Sequence, residues 1–215
     1  MFRKLERELL EENEKKKLLN VYTRLDRELG FHHKMTLICA YKLIEAGYTP
    51  KVEWWINKEE YRSKLDYEKL ICDIFASKKD ETIVIEVETK YYFDPRRIVL
   101  DPYQNYRGLT RIVGKIARYS HYSDEFGLAV IKKGTKENHE YDEYKNKIPL
   151  RIPKTLIDKP DERNIDDINF LKKIVDKEYR KPKIPLDKIM KAKIDFIYVV
   201  DLDECEAEKI YLQKI

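Results

Sequence analysis

Residues 82–90 (TIVIEVETK) are rich in β-branched side chains, which from Ile85 alternate with charged ones at period two, the pattern of a strand with two distinct faces. Residues 69–76 (KLICDIFA) read as a second strand, and Lys78, Lys79, Asp80 and Glu81 between them read as a turn, so the two form an antiparallel hairpin. Further strands are predicted at 51–56 (KVEWWI), 126–132 (FGLAVIK) and 193–201 (KIDFIYVVD), with a short edge strand at 208–213. Helical spacing places Leu37, Ala40, Tyr41 and Ile44 on one stripe of a helix over 36–48, closed by Gly47 and Pro50. A long helix is predicted over 102–122, with Leu109, Ile112, Val113 and Ile116 on its apolar side. Another covers 164–179, through Ile168, Leu171, Val175 and Tyr179. Residues 1–30 read as one helix or two, ended by Gly30, while 133–163, with Pro149, Pro153 and Pro160, read as irregular.

A three-strand meander followed by a helix and another strand implies an α/β fold with a mixed central sheet flanked by helices. The expected organisation is an N-terminal helical extension at 1–30, a core at 31–132, and an insertion with helices and terminal strands at 133–215 that completes the domain. Charged residues make up 39% of the 215 and glycine only 6 residues, yet 42% are hydrophobic, enough for a core. No apolar run approaches a membrane span or a leader, and three scattered cysteines give no disulfide framework, so an intracellular (cytoplasmic) protein is expected. Lysine plus arginine is 44 and aspartate plus glutamate 40, so the net charge of +4 names no partner until the charges are sorted by position.

The acids gather on the hairpin. A turn centred between Lys79 and Asp80 sets Asp73 opposite Glu86, with Cβ atoms about 5 Å apart. Alternation puts Glu86, Glu88 and Lys90 on one face with Val84, and Ile85 and Val87 on the other. Three carboxylates on adjacent strands repel, and a hard divalent cation such as Mg²⁺ or Mn²⁺ is the natural compensation. Such a cation can activate water and stabilise a phosphoryl transition state.

Asp73, a twelve-residue hairpin interval and then Glu86 within alternating charges resembles the PD-(D/E)xK nuclease superfamily. That superfamily includes Holliday junction resolvases, RecB-type nucleases and restriction endonucleases. Archaeal and archaeal-virus members match the composition best. Residues 32–132 fit its αβββαβ core, which implies a restriction-endonuclease-like fold and Mg²⁺- or Mn²⁺-dependent hydrolysis of DNA. The resemblance gives Asp73, Glu86 and Glu88 as metal ligands. Glu88 stands where the family has its lysine, so Glu88 or Lys90 is left to position the attacking water. A register using Glu88-Thr89-Lys90 as the motif is the alternative. The start of the helix before the meander often brings a residue to the metal, which points to His33. Resolvase-like members imply branched or flapped DNA and a homodimer.

The cations sort separately. Arg107, Arg111, Lys115 and Arg118 recur at steps of four, four and three, on one helical face, and Arg96 and Arg97 precede them. From Arg96 to Ser123 there are six basic residues and one acid, a local +5, interleaved with Tyr103, Tyr106, Tyr119 and Tyr122. Such a stripe suits phosphate contact. In the resembled fold this helix packs beside the site, adding Gln104, Arg107 and Arg111 as candidates. The competing readings are a non-catalytic DNA-binding protein that retains a nuclease fold, and a protein-interaction module. Trp54 and Trp55, adjacent on a strand, are expected to face opposite sides, one in the core and one toward a partner.

Overall fold

The chain folds around a mixed β-sheet in a computed structural model that describes residues 30–63, 69–100, 109–133, 147–177 and 183–214. Helix α1 (Phe31–Glu45) leads into β1 (Thr49–Trp55), and a short helix α2 (Lys58–Ser63) separates it from β2 (Ile71–Lys78). Then follow β3 (Glu81–Phe93), β4 (Val99–Leu100), α3 (Thr110–Tyr119) with a 3-10 turn at Ser120–Tyr122, and β5 (Glu125–Lys132). The C-terminal part supplies β6 (Ile148–Pro149), β7 (Ile152–Pro153), α4 (Ile165–Val175), α5 (Leu186–Lys191), β8 (Phe196–Asp201) and β9 (Glu206–Tyr211). The expected extension at 1–30 and the first part of the long helix, 102–108, lie outside the described residues, apart from Gly30.

Among the described residues seven strands share one sheet, in the order β1-β2-β3-β5-β8-β9 with β6 beside the far end of β3. Strands β1, β2 and β3 form the antiparallel meander, and β3, β5 and β8 run parallel. Strand β3 is therefore where antiparallel pairing gives way to parallel pairing. The hairpin register pairs Ile74 with Ile85 and Lys78 with Glu81, which is the register that sets Asp73 opposite Glu86. The tight turn is Lys79-Asp80, with Lys79 in the left-handed region at φ 52°.

Both sheet faces are covered, which is why β3 reads as nearly continuous burial from Ile83 to Glu88. On one face Ile74, Ile83, Ile85 and Val87 pack with Met35, Ile38, Cys39 and Leu43 of α1. On the other Val84, Leu128 and Val130 pack with Ile112, Val113 and Ile116 of α3 and with Leu171, Ile174 and Ile189 of α4 and α5. Parallel strands β5 and β8 approach closely at Gly127, where an added Cβ would stand 2.1 Å from the Phe196 ring. Helix α4 begins with a reciprocal cap: Asn164 Oδ1 accepts from the backbone of Asp166 and Asp167, and Asp167 accepts from the Asn164 N–H.

The elements differ from their predicted bounds mainly at the ends. Helix α1 starts at Phe31, five residues before the first residue of its predicted span, and β3 runs on to Phe93. Helix α5 lies in a stretch with no predicted element, between Pro185 and Ala192, and it is too short to show an apolar period.

Candidate active site

The β2–β3 ladder stops at Ile74↔Ile85, and beyond it carboxylates take over the backbone's hydrogen bonds. Glu86 Oε1 accepts from the Asp73 N–H at 3.1 Å, and Asp73 Oδ2 accepts from the Val87 N–H at 2.7 Å. Each acid thus satisfies a donor that the parting strands leave open, which fixes both carboxylates where the hairpin splays. Glu88, one pleat further, is buried at 1% exposure beneath α3.

Lys115 reaches this cluster from α3. Its Nζ lies 2.8 Å from Glu86 Oε2, 2.7 Å from Glu88 Oε1 and 3.9 Å from Asp73 Oδ2. The approach to Glu88 Oε1 is an ion pair by distance but not a hydrogen bond by direction, so this buried oxygen keeps an unused acceptor. Arg111, one turn before Lys115 and largely exposed, brings its Nε within 3.4 Å of the same oxygen. On the opposite side His32, at the start of α1, places Nε2 3.2 Å from Asp73 Oδ1.

Three carboxylates against one half-buried ammonium leave the cluster acidic, and the titration behaviour follows. Burial, and then the charge of Asp73, push the Glu86 carboxyl up to about 7, although Lys115 opposes them. Burial also acts to raise Asp73, but the His32 hydrogen bond, the Lys115 charge and the Val87 N–H hold it below its ordinary range. Burial acts to lower Lys115, yet Glu86, Glu88 and Asp73 together push it up, so it keeps its proton. The Asp73 hydrogen bond raises His32 against the effect of its burial.

The other candidates fall in varied surroundings. Simple alternation puts Lys90 on the Glu86–Glu88 face, but pairing with β5 jumps from Glu88↔Val130 to Tyr92↔Ile131, so a bulge at 89–91 breaks the alternation. Lys90 is exposed, and Tyr91 is buried among the core residues of the α3 side instead. Helical spacing puts Arg118 on a phosphate-facing stripe; it is 5% exposed, because α3 is enclosed by the sheet on one side and by α4 and α5 on the other. Lys115 leaves that stripe too and points into the acids. Arg96 and Arg97 are exposed beside Asp94, at 3.7 and 3.9 Å. Gln104 and Arg107 lie outside the described residues. His33 neighbours His32, ring centroids 5.8 Å apart, but the contact with Asp73 belongs to His32. Only the helix phase separates the two histidines, and the sequence places that helix's start too late to set it.

Among the described residues no three histidine, cysteine or carboxylate side chains are grouped so as to hold a metal ion. The donor chemistry nevertheless fits a hard divalent cation: Asp73, Glu86 and Glu88 offer oxygen ligands, and Glu88 Oε1 is a buried acceptor without a hydrogen bond. A separate polar lock ties α2 to α5 through the 3-10 turn. Lys188 Nζ donates to Tyr122 Oη at 2.8 Å and to Glu60 Oε2 at 3.0 Å, and Tyr122 donates to Glu60. Beside it both ring nitrogens of His121 are buried without hydrogen-bond partners, and burial depresses its pKa to about 4. No protein-family model, no curated protein and no solved structure matches the chain.

Proposed function

We propose that the chain is a metal-dependent DNA endonuclease of the PD-(D/E)xK kind, with the restriction-endonuclease-like core that the resemblance implies. The observation that carries this reading is the Lys115 ammonium seated between Glu86 and Glu88 beside Asp73, at the splayed end of the meander hairpin. A lysine next to paired acids is what the superfamily's chemistry requires. Here it comes from α3, while Glu88 fills the usual strand position. Asp73, Glu86 and Glu88 would hold Mg²⁺ or Mn²⁺, which supplies Lewis-acid activation of water and of the phosphoryl oxygen.

The chain's own groups do the rest. Lys115 keeps its proton, so its Nζ acts as a fixed positive charge for the phosphoryl oxygen and not as a base. Glu88 Oε1, the acceptor without a hydrogen bond, orients the attacking water. His32 holds Asp73 in place through Oδ1. Arg111, Arg96 and Arg97, all with exposed side chains, hold flanking phosphates. The homodimer and the preference for branched or flapped DNA belong to the same proposal.

One observation favours the rival reading, DNA binding without cleavage: an ammonium already sits where a divalent ion would gather Glu86 and Glu88. The test incubates purified protein with linear, flapped and four-way DNA in Mg²⁺, Mn²⁺ or EDTA, with Asp73→Ala in parallel. Metal-dependent fragments from the wild type alone support the endonuclease. Identical fragments from the variant reject the assigned site. A gel shift with no cleavage in any metal selects the rival.

A further inference from the structure

Among the described residues strand β1 is the outermost strand of the sheet path, and its end carries an aromatic surface that the proposed chemistry does not use. Val52 packs on the α1 side of the sheet. Plain alternation would send Trp54 the same way, but Glu53 between them takes a left-handed φ of 49° and resets the alternation. Trp54 instead stacks on Phe75, with ring centroids 6.4 Å apart and planes at 26°. Phe75 belongs to the α3 side: it pairs with Val84 and packs against the core there. It is two residues from Asp73 on β2, about 7 Å, which is two stacked nucleotides at ~3.4 Å each. Trp54 pairs with Cys72, the residue before Asp73, and is 41% exposed, a large apolar surface opening on the solvent.

Lysines accompany these rings. Lys51 Nζ lies 4.3 Å from the Trp54 ring centroid, and Lys69 Nζ lies 4.4 Å from that of Trp55. This pairing decides what the surface fits. An apolar protein face laid over Trp54 would bury the Lys51 ammonium without a counter-charge, which is costly. A nucleobase brings its own phosphate. Stacking of a base on an aromatic side chain is favourable, and it outweighs an exposed cation–π contact. The base therefore takes the ring, and the flexible lysine moves to the phosphate.

We propose that Trp54, Phe75 and Lys51 form a stacking platform for an unpaired DNA strand, so that the adjoining site takes DNA with a single-stranded segment. The inference rests on the nuclease reading for its link to cleavage, and on the platform's geometry alone for binding. In a Trp55→Phe background Trp54 is the sole tryptophan of the chain, and its fluorescence reports the platform directly. Titration with an oligothymidylate of about 20 nucleotides in EDTA should quench it. Trp54→Ala should weaken oligothymidylate binding about tenfold or more. Trp54→Phe should retain most of the affinity, and binding of a blunt duplex of the same length should be unchanged in both. Trp54→Ala binding the oligothymidylate as tightly as wild type overturns the platform. So does an equal loss on duplex, or a dimer on a sizing column that Trp54→Ala dissociates while strand binding persists. Trp54-dependent quenching in a protein that cuts no DNA supports the platform and sinks the nuclease reading alone.

Discussion

At the residue scale the site turns on Lys115. It is the counter-charge for two nearly inaccessible carboxylates, so Lys115→Met should destabilise the protein by about 3–5 kcal/mol, measured by urea unfolding in EDTA. Adding Glu86→Gln should recover part of that loss, because one unpaired charge disappears. On the proposed metal-dependent reading the same lysine would compete with a divalent cation for Glu86 and Glu88. Lys115→Met should therefore bind Mn²⁺ about tenfold more tightly or better by calorimetry while losing cleavage. A purely structural lysine would leave cleavage to recover when the fold is stabilised. Glu86 offers a pH test. Its folded-state pKa, about 7, lies above the ordinary value of 4.5, so the folded state binds a proton that the unfolded state has already released. Wild-type stability relative to Glu86→Gln should fall as pH rises from about 4.5 to 7 and level off above, by a few kcal/mol at most. A flat difference across that range would mean Glu86 is not so perturbed. Asp73 and Glu86 are legible from strand alternation and a short turn. Lys115 is visible only as one of four cations, since burial sorts that stripe and sequence does not record burial.

Elements hold these residues in register. The parallel step from β3 through α3 to β5 suspends α3 over the acid end of the hairpin, and the close approach of β5 to β8 fixes the sheet beneath it. Gly127→Ala would press a Cβ into the Phe196 ring and should cost about 1–3 kcal/mol by thermal or urea unfolding, with Phe196→Leu alongside restoring part of it. No loss would show that β5 and β8 stand further apart. The meander is readable because β-branched residues alternate over a tight turn. The bulge at 89–91 is not, since nothing in Thr89-Lys90-Tyr91 marks a break in a run that remains strand-like, and so alternation alone puts Lys90 on the wrong side of the pleat. Helix α5 is hidden because six residues are too few to show an apolar period, and the Glu60–Tyr122–Lys188 lock because its residues meet across 62 to 128 positions of chain.

Across the whole molecule a net charge of +4 averages an acid cluster on β2 and β3 with cations on the loop after β3 and on α3. The fold brings the two together and also divides the cations: Lys115 neutralises acids, Arg118 is buried, and Arg96, Arg97 and Arg111 remain exposed. The last three should carry the salt dependence of DNA binding. Replacing Arg96 and Arg97 with alanine should lower the slope of log affinity against log salt by about 0.9 for each phosphate no longer neutralised, measured by anisotropy in EDTA, whereas Arg118→Ala should change stability and leave the slope alone. The α/β class with a helix-flanked mixed sheet can be read from element order, because each strand carries its own periodicity. The charge division cannot, because it depends on which face of α3 the sheet covers. Single-turnover cleavage of a flapped DNA by saturating protein in Mg²⁺ tests the endonuclease most directly. Wild type should release fragments, and Asp73→Asn, bound equally at saturation, should release none above the EDTA background. Equal cleavage by both, or none by wild type while fully bound, contradicts it.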